Sequence, residues 1–292
     1  SIMLTTGSVV ADLEEQLARY LGREHAVGLT SCTAALHLSL LASGVGAGDE
    51  VITTPMSFVS TANAIVHAGA TPVFVDVERR TGNLDAARVE AALTPRTKAI
   101  LPVHLYGQMC DMRALAALAR RHGLVLVEDA AHAVESSRDG VRVGELSRTA
   151  CFSFYATKNL TTAEGGMLTG DPEVIEKARI IGLHGMSRDA WKRYDKGGSW
   201  KYEVVLPGFK YNMTDIQASI GLRQLDRLES FQTRRNAIVT RYAAGFAIQE
   251  ALHVLKRDGD INVLSERMLT MQKYNEILEA GEFTEWERKY LQ

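Results

Sequence analysis

Seven short apolar runs, spaced along the first two thirds of the chain, constrain its fold more than any other feature. They lie at 26–30, 50–54, 72–77, 98–103, 124–128, 150–154 and 166–169. Several are separated by helical patterns. Residues 33–43 carry Leu36, Leu40 and Leu41 at helix spacing. A second helix is expected over 58–68, with Ser57 in the N-cap position. Asp85 can cap a third, through Leu93, and 111–122 reads as a fourth, stopped by Gly123. Strands that are apolar on both faces and alternate with helices predict an α/β fold. In it a mainly parallel seven-stranded sheet is covered by helices on two sides. Ligands of such sheets collect at the carboxyl ends of the strands, so chemistry is expected in the loops that follow the runs.

The last third differs. Residues 215–241 read as one long amphipathic helix, with Ile216, Ile220, Leu222, Leu225 and Leu228 as its apolar contacts. All six prolines lie at or before Pro207, and 244–292 is helix-prone and mixed in charge. The expected division is a large domain over 1–240 and a helical segment over 241–292. A net charge of −2 leaves no electrostatic footprint for nucleic acid or an anionic membrane. No apolar run approaches the roughly 20 residues of a membrane helix. Cys32, Cys110 and Cys151 are widely spaced and odd in number, which points to a reducing, cytoplasmic setting.

Four constellations carry chemistry. At Leu29-Thr30-Ser31-Cys32-Thr33-Ala34-Ala35-Leu36 a strand ends and a helix begins among small hydroxylated residues. The free N–H groups of such a helix end suit a phosphate, although an ordinary capped helix has the same pattern. At Val127-Glu128-Asp129-Ala130-Ala131-His132 a buried strand delivers Asp129 to its carboxyl end, with His132 three residues on. Asp129 suits a cationic ring nitrogen, or simply a helix cap. At Ser153-Phe154-Tyr155-Ala156-Thr157-Lys158-Asn159 a strand runs into a turn holding a lone lysine in small, apolar surroundings. Such an amine can shed its proton and attack a carbonyl, although most loop lysines are merely solvated. At Tyr211-Asn212-Met213-Thr214-Asp215 the chain enters the long helix. The glycines at 44, 46 and 48 follow a helix and precede a strand, the wrong context for a dinucleotide loop. No phosphate loop of GxxxxGK[ST] form exists, and His104, His132 and His184 are too scattered to imply a metal.

Together and in this order, these segments resemble the sugar aminotransferases that depend on pyridoxal 5'-phosphate (PLP), the DegT/DnrJ/EryC1/StrS family, of PLP-dependent transferase fold type I. Thr54-Pro55-Met56-Ser57-Phe58-Val59-Ser60-Thr61-Ala62-Asn63 adds to the likeness, which runs from about Thr5 to about Tyr242. The resemblance implies that Lys158 binds the cofactor covalently, Asp129 pairs with its ring nitrogen and Phe58 stacks on the ring, with His132 beside it. Cys32 and Thr33, with Ser153, fall on the phosphate cradle. Asn212 falls on an asparagine that reaches the cofactor of a neighbouring subunit, which implies a homodimer with shared active sites. The segment 191–205 resembles the loop of members acting on nucleotide-linked 4-keto hexoses. The implied reaction is transamination with L-glutamate as amino donor, making an amino sugar for a surface polysaccharide or a secondary metabolite. No metal, nucleic acid or membrane partner is expected. Two rivals differ in what they require. A dehydratase on this scaffold replaces the lysine by histidine, and Lys158 argues against it. A binding or regulatory protein without turnover is the other, since 244–292 does not match the family's small domain and the substrate lid is expected to be absent.

Overall fold

Each of the seven apolar runs contributes a strand. In chain order the strands are β1 (Ala26–Leu29), β2 (Glu50–Thr53), β3 (Thr71–Phe74), β4 (Thr97–Ile100), β5 (Val125–Asp129), β6 (Ser137–Arg138), β7 (Val141–Arg142), β8 (Thr149–Ser153) and β9 (Gly166–Gly170). The computed structural model describes residues 4–5, 7–187 and 203–258, with side chains of the last helix as far as Phe246. Most of the 191–205 loop and the tail beyond 258 lie outside the described residues. The main sheet has the order β1-β9-β8-β5-β4-β2-β3, while β6 and β7 form a separate hairpin. Every pairing among β2, β3, β4, β5 and β8 is parallel, and β9 runs antiparallel to both its neighbours. All strands of this sheet except β9 therefore point the same way and end at one edge of the sheet.

The helices are α1 (Ser8–Leu21), α2 (Cys32–Ala42), α3 (Ser60–His67), α4 (Ala86–Ala91), α5 (Met112–His122), α6 (Pro172–Ile181), α7 (Asp215–Leu225) and α8 (Leu228–Asp258). Strand residues alternate between two cores. Ile52, Ile100 and Leu126 pack with α1 and α5, whereas Val51, Ala99 and Val127 pack with α2, α3 and α6. Covering both faces is what makes each strand read as a continuous apolar run. Asp111 caps α5 through the Ala114 amide and Gly123 ends it in the left-handed conformation, as expected. Among the described residues no helix is long and apolar enough to cross a membrane.

Three expectations need correction. The helix expected over 215–241 is two. Its first part ends where Arg227 N–H bonds back to Gln224, a tightened final turn that brings Leu228 into the core. Its buried face is only partly the expected one: Leu222 and Leu225 pack against the core and Leu228 is buried in it. Ile216 and Ile220 are 59% and 41% exposed, while Ala218 and Gly221 are inside. The reason is close approach to α1: a Cβ on Gly221 would stand 2.8 Å from Leu13. Finally, α3 starts at Ser60 with no side-chain cap, and Ser57 instead bonds the Thr61 hydroxyl at 2.6 Å. The sequence reading also passed over α1 and α6. Among the described residues no neighbouring side chain caps the start of α1. Asp215 does so from the far end of the unit, accepting the Gly7 and Val10 amides at 2.9 and 3.3 Å. Contacts divide the chain after Leu228, and the whole sheet with α1–α7 lies before that point.

Candidate active site

A cavity of about 740 Å³ opens where the strands end. Its walls come from the loops after β1, β2, β4, β5 and β8 and from the turn before β9, as strand direction requires. Seven of the eight residues singled out in the sequence line it: Cys32, Thr33, Phe58, Asp129, His132, Ser153 and Lys158. Asn212 does not. It sits in a bridge with Leu29, and its side-chain oxygen accepts from Lys210.

Asp129 closes β5 and is buried at the cavity floor. Its Oδ2 accepts the Thr61 hydroxyl at 2.8 Å and its Oδ1 the Ala131 amide at 3.2 Å. Burial pushes the carboxyl above its ordinary range, and these two donors pull it back toward the ionised form. Ser57 extends the chain of hydroxyls behind Thr61. Next to Asp129, His104 Nε2 lies 2.7 Å from Glu128 Oε2, both side chains fully buried. The Cys110 amide donates to His104 Nδ1, so the ring proton belongs on Nε2, where it is given to Glu128. The His104 amide donates to the Asp129 carbonyl, which fixes the end of the strand.

Lys158 stands in the turn that follows β8. The turn is tied down by the Lys158 amide on the Tyr155 carbonyl and by Asn159 donating to Glu135. Lys158 Nζ is 2.5 Å from His132 Nε2. Burial, together with the charge of Lys158, lowers the His132 pKa, so the imidazole is neutral near pH 7 and accepts from the lysine. A proton acceptor thus touches Lys158, the one amine among the described residues that line the cavity.

The opposite wall is the start of α2. Ser31 caps the helix through the Ala34 amide, and the amides of Cys32 and Thr33 belong to the first turn, which has no carbonyl partners within the helix. This end abuts Gly166, where a Cβ would lie 2.3 Å from the Ser31 carbonyl carbon. Only glycine admits so close an approach. Burial holds the Cys32 thiol well above its ordinary pKa, so the residue brings its backbone amide rather than a thiolate to the cavity. Phe58 is 77% exposed over the same space. Among the described residues no group of three His, Cys, Asp or Glu side chains is placed to hold a metal.

Sequence reasoning missed Thr61, His104, Glu128, Tyr106 and Glu164. Thr61 lies within the 54–63 segment, but nothing in its spacing ties it to Asp129. The assembled donor set fits a flat heterocycle with a cationic ring nitrogen, a carbonyl and a phosphate. It offers a buried carboxylate, an amine beside a neutral imidazole and a helix end cradled by a glycine.

Comparison with known proteins agrees in kind. The model of the DegT/DnrJ/EryC1/StrS aminotransferase family matches residues 1–281. The chain is 54% identical over 244 residues to the spore coat polysaccharide biosynthesis protein SpsC of Bacillus subtilis, covering 83% of this chain and 63% of that protein. It is 50% identical to the uncharacterized protein MJ1066 of Methanocaldococcus jannaschii, covering 85% of this chain and 65% of that one. The chain thus spans a little under two thirds of the length of these curated relatives. Among solved structures, the PMP form of the putative sugar aminotransferase Spr1654 from Streptococcus pneumoniae superposes with a TM-score of 0.79 at 40% identity, covering 84% of this chain and 67% of that one.

Proposed function

This chain belongs to the DegT/DnrJ/EryC1/StrS aminotransferase family, and from that premise we propose that it binds PLP and transfers an amino group from L-glutamate to a nucleotide-linked keto sugar, a 4-keto hexose. The observation that carries this reading is the meeting of Lys158, His132 and buried Asp129 in one cavity at the N-terminus of α2. The PMP and PLP forms of Spr1654 support the choice of cofactor.

Asp129 would hold the ring nitrogen, Lys158 the carbonyl end, and Cys32 and Thr33 with Ser153 the phosphate, while Phe58 covers a ring face. When bound, the cofactor supplies an electron sink for a carbon that loses its proton. The remaining work is the chain's own. Thr61 and Ala131, by donating to Asp129, favour its ionised form and with it a positive charge directly above the cavity floor. Lys158 gives up and takes back a proton at Nζ. His132 Nε2, at 2.5 Å, is the group that holds it. Positioned proton transfer of this kind contributes roughly 10²–10⁴-fold to a rate.

Asn212 stands outside its own cavity, which supports the reading that it serves the site of a second subunit in a homodimer. The division into a cofactor domain over 1–240 and a helical segment over 241–292 belongs to the same proposal, as does a cytoplasmic setting, in keeping with three free, buried cysteines. The name of the SpsC relative supports a product destined for a polysaccharide.

The test is direct. The purified chain loaded with PLP should absorb in the visible, lose that band in Lys158→Ala, and convert a dTDP-linked 4-keto hexose to its amine when glutamate is supplied. An unchanged spectrum in the variant removes Lys158 from its role. Failure to aminate any keto sugar nucleotide favours a scaffold without turnover.

A further inference from the structure

Two segments at the cavity mouth are held in backbone conformations that side chains avoid, and each presents an unused polar group. Tyr106, in the loop after β4, has φ 53° and ψ 25°. The described residues include only four non-glycine positions with positive φ, and two of them, Tyr106 and Ala163, flank this cavity. The Tyr106 turn is clamped from both sides. Buried Asn83 accepts the Leu105 amide at 3.1 Å and donates to the Gln108 carbonyl at 2.9 Å. Ser136 donates to the Gly107 carbonyl at 2.7 Å. The clamp does not serve burial: the Tyr106 ring is 83% exposed, edge-on to His132 at 6.2 Å. His132 in turn touches Lys158.

The second segment is the turn before β9. Ala163 has φ 68° and Gly165 φ 154°. The Glu164 carbonyl between them accepts from Gln217 Nε2 at 2.8 Å and Thr162 Oγ1 at 2.6 Å. The Glu164 side chain is exposed and lines the cavity, and among the described residues its carboxylate has no partner. Strained backbone that the surroundings over-determine is characteristic of places where a side chain must be presented rather than packed.

We propose that Tyr106 and Glu164 form the subsite for the hydroxyl-bearing ring of the substrate sugar, an inference that rests on the keto sugar reading above. A carboxylate accepts hydrogen bonds from neighbouring hydroxyls, and a phenol offers a ring edge or face to a pyranose and one hydroxyl of its own. Glu164 disfavours an anion in direct contact, so this part of the rim suits the neutral, hydroxyl-bearing ring rather than a carboxylate of the amino donor or the diphosphate of the acceptor. Tyr106 and Glu164 are positioning residues for the acceptor.

The experiment compares the PLP-loaded wild type with Tyr106→Gly and Glu164→Gln, using glutamate and a dTDP-linked 4-keto hexose as probes and following cofactor absorbance. In each variant the sugar concentration for half-saturation should rise about tenfold relative to that for glutamate, the loss of roughly one hydrogen bond to a charged or aromatic partner. Tyr106→Gly should also raise the Tm, because glycine accepts the left-handed conformation freely, so acceptor binding falls while the fold gains. The inference is overturned if the two half-saturation terms move together, if neither moves, or if glutamate alone is affected. A wild type that aminates no keto sugar nucleotide sinks the parent reading instead, and is recognised before any variant is compared.

Discussion

Thr61→Val tests the electrostatics of the cavity floor. The Thr61 hydroxyl lies 2.8 Å from Asp129 Oδ2, with both side chains buried. A hydrogen bond to a charged group contributes about 1.5–3 kcal/mol. Valine keeps the shape and removes the donor, so the Asp129 carboxyl, already raised by burial, rises further. The direction with pH follows from linkage. A carboxyl whose pKa is higher folded than unfolded favours folding below its ordinary 3.8, and that contribution is lost as pH climbs through the folded value. The substitution should therefore cost little in acid, where Asp129 is protonated in both states, and about 1.5–3 kcal/mol at pH 8. Urea unfolding of the cofactor-free protein across this range measures the difference. PLP affinity should fall about ten- to hundredfold at pH 8, since a cationic ring nitrogen needs an ionised partner. A stability loss of equal size at every pH, with unchanged PLP affinity, would show that Thr61 does not act through the Asp129 charge.

Three further outcomes are expected. Ala163→Gly relieves a left-handed alanine worth about 1–2 kcal/mol of strain against about 0.5–1 kcal/mol of added chain entropy, so thermal melting should show a small gain, and a lower Tm counts against it. Asp215→Ala removes the carboxylate that accepts the Gly7 and Val10 amides, and should cost about 1–2 kcal/mol in urea unfolding; a neutral result would mean α1 needs no cap. His132, lowered by burial and by Lys158, should set an acid limb in the glutamate-dependent rate below pH 6.5. His132→Gln keeps an acceptor but cannot titrate, so the limb should vanish, and its persistence would assign it to another group.

What could be read from the chain in advance follows from what has a period. The strands were legible because Val51 and Ile52, or Leu126 and Val127, serve opposite cores and leave no polar alternation to confuse them. The reversal of β9 was not, since apolar spacing carries no strand direction. The buried side of α7 is legible at Leu222 and Leu225 but not at its start, where small residues, Ala218 and Gly221, make the contact while Ile216 and Ile220 face outward. In the site, Lys158 and Asp129 stand in recognisable local segments. Tyr106 and Glu164 depend on a reversed sign of φ and on clamps from distant loops, which no local pattern announces.

The capping of α1 by Asp215 sets an order of events during synthesis. The contact spans 208 positions, and β1 likewise finds its sheet neighbour only in β9. At about 5–20 residues per second, the ribosome leaves α1 without its anchor for on the order of tens of seconds. The central parallel strands can pair well before that, so α1, made ahead of all of them, is secured after them.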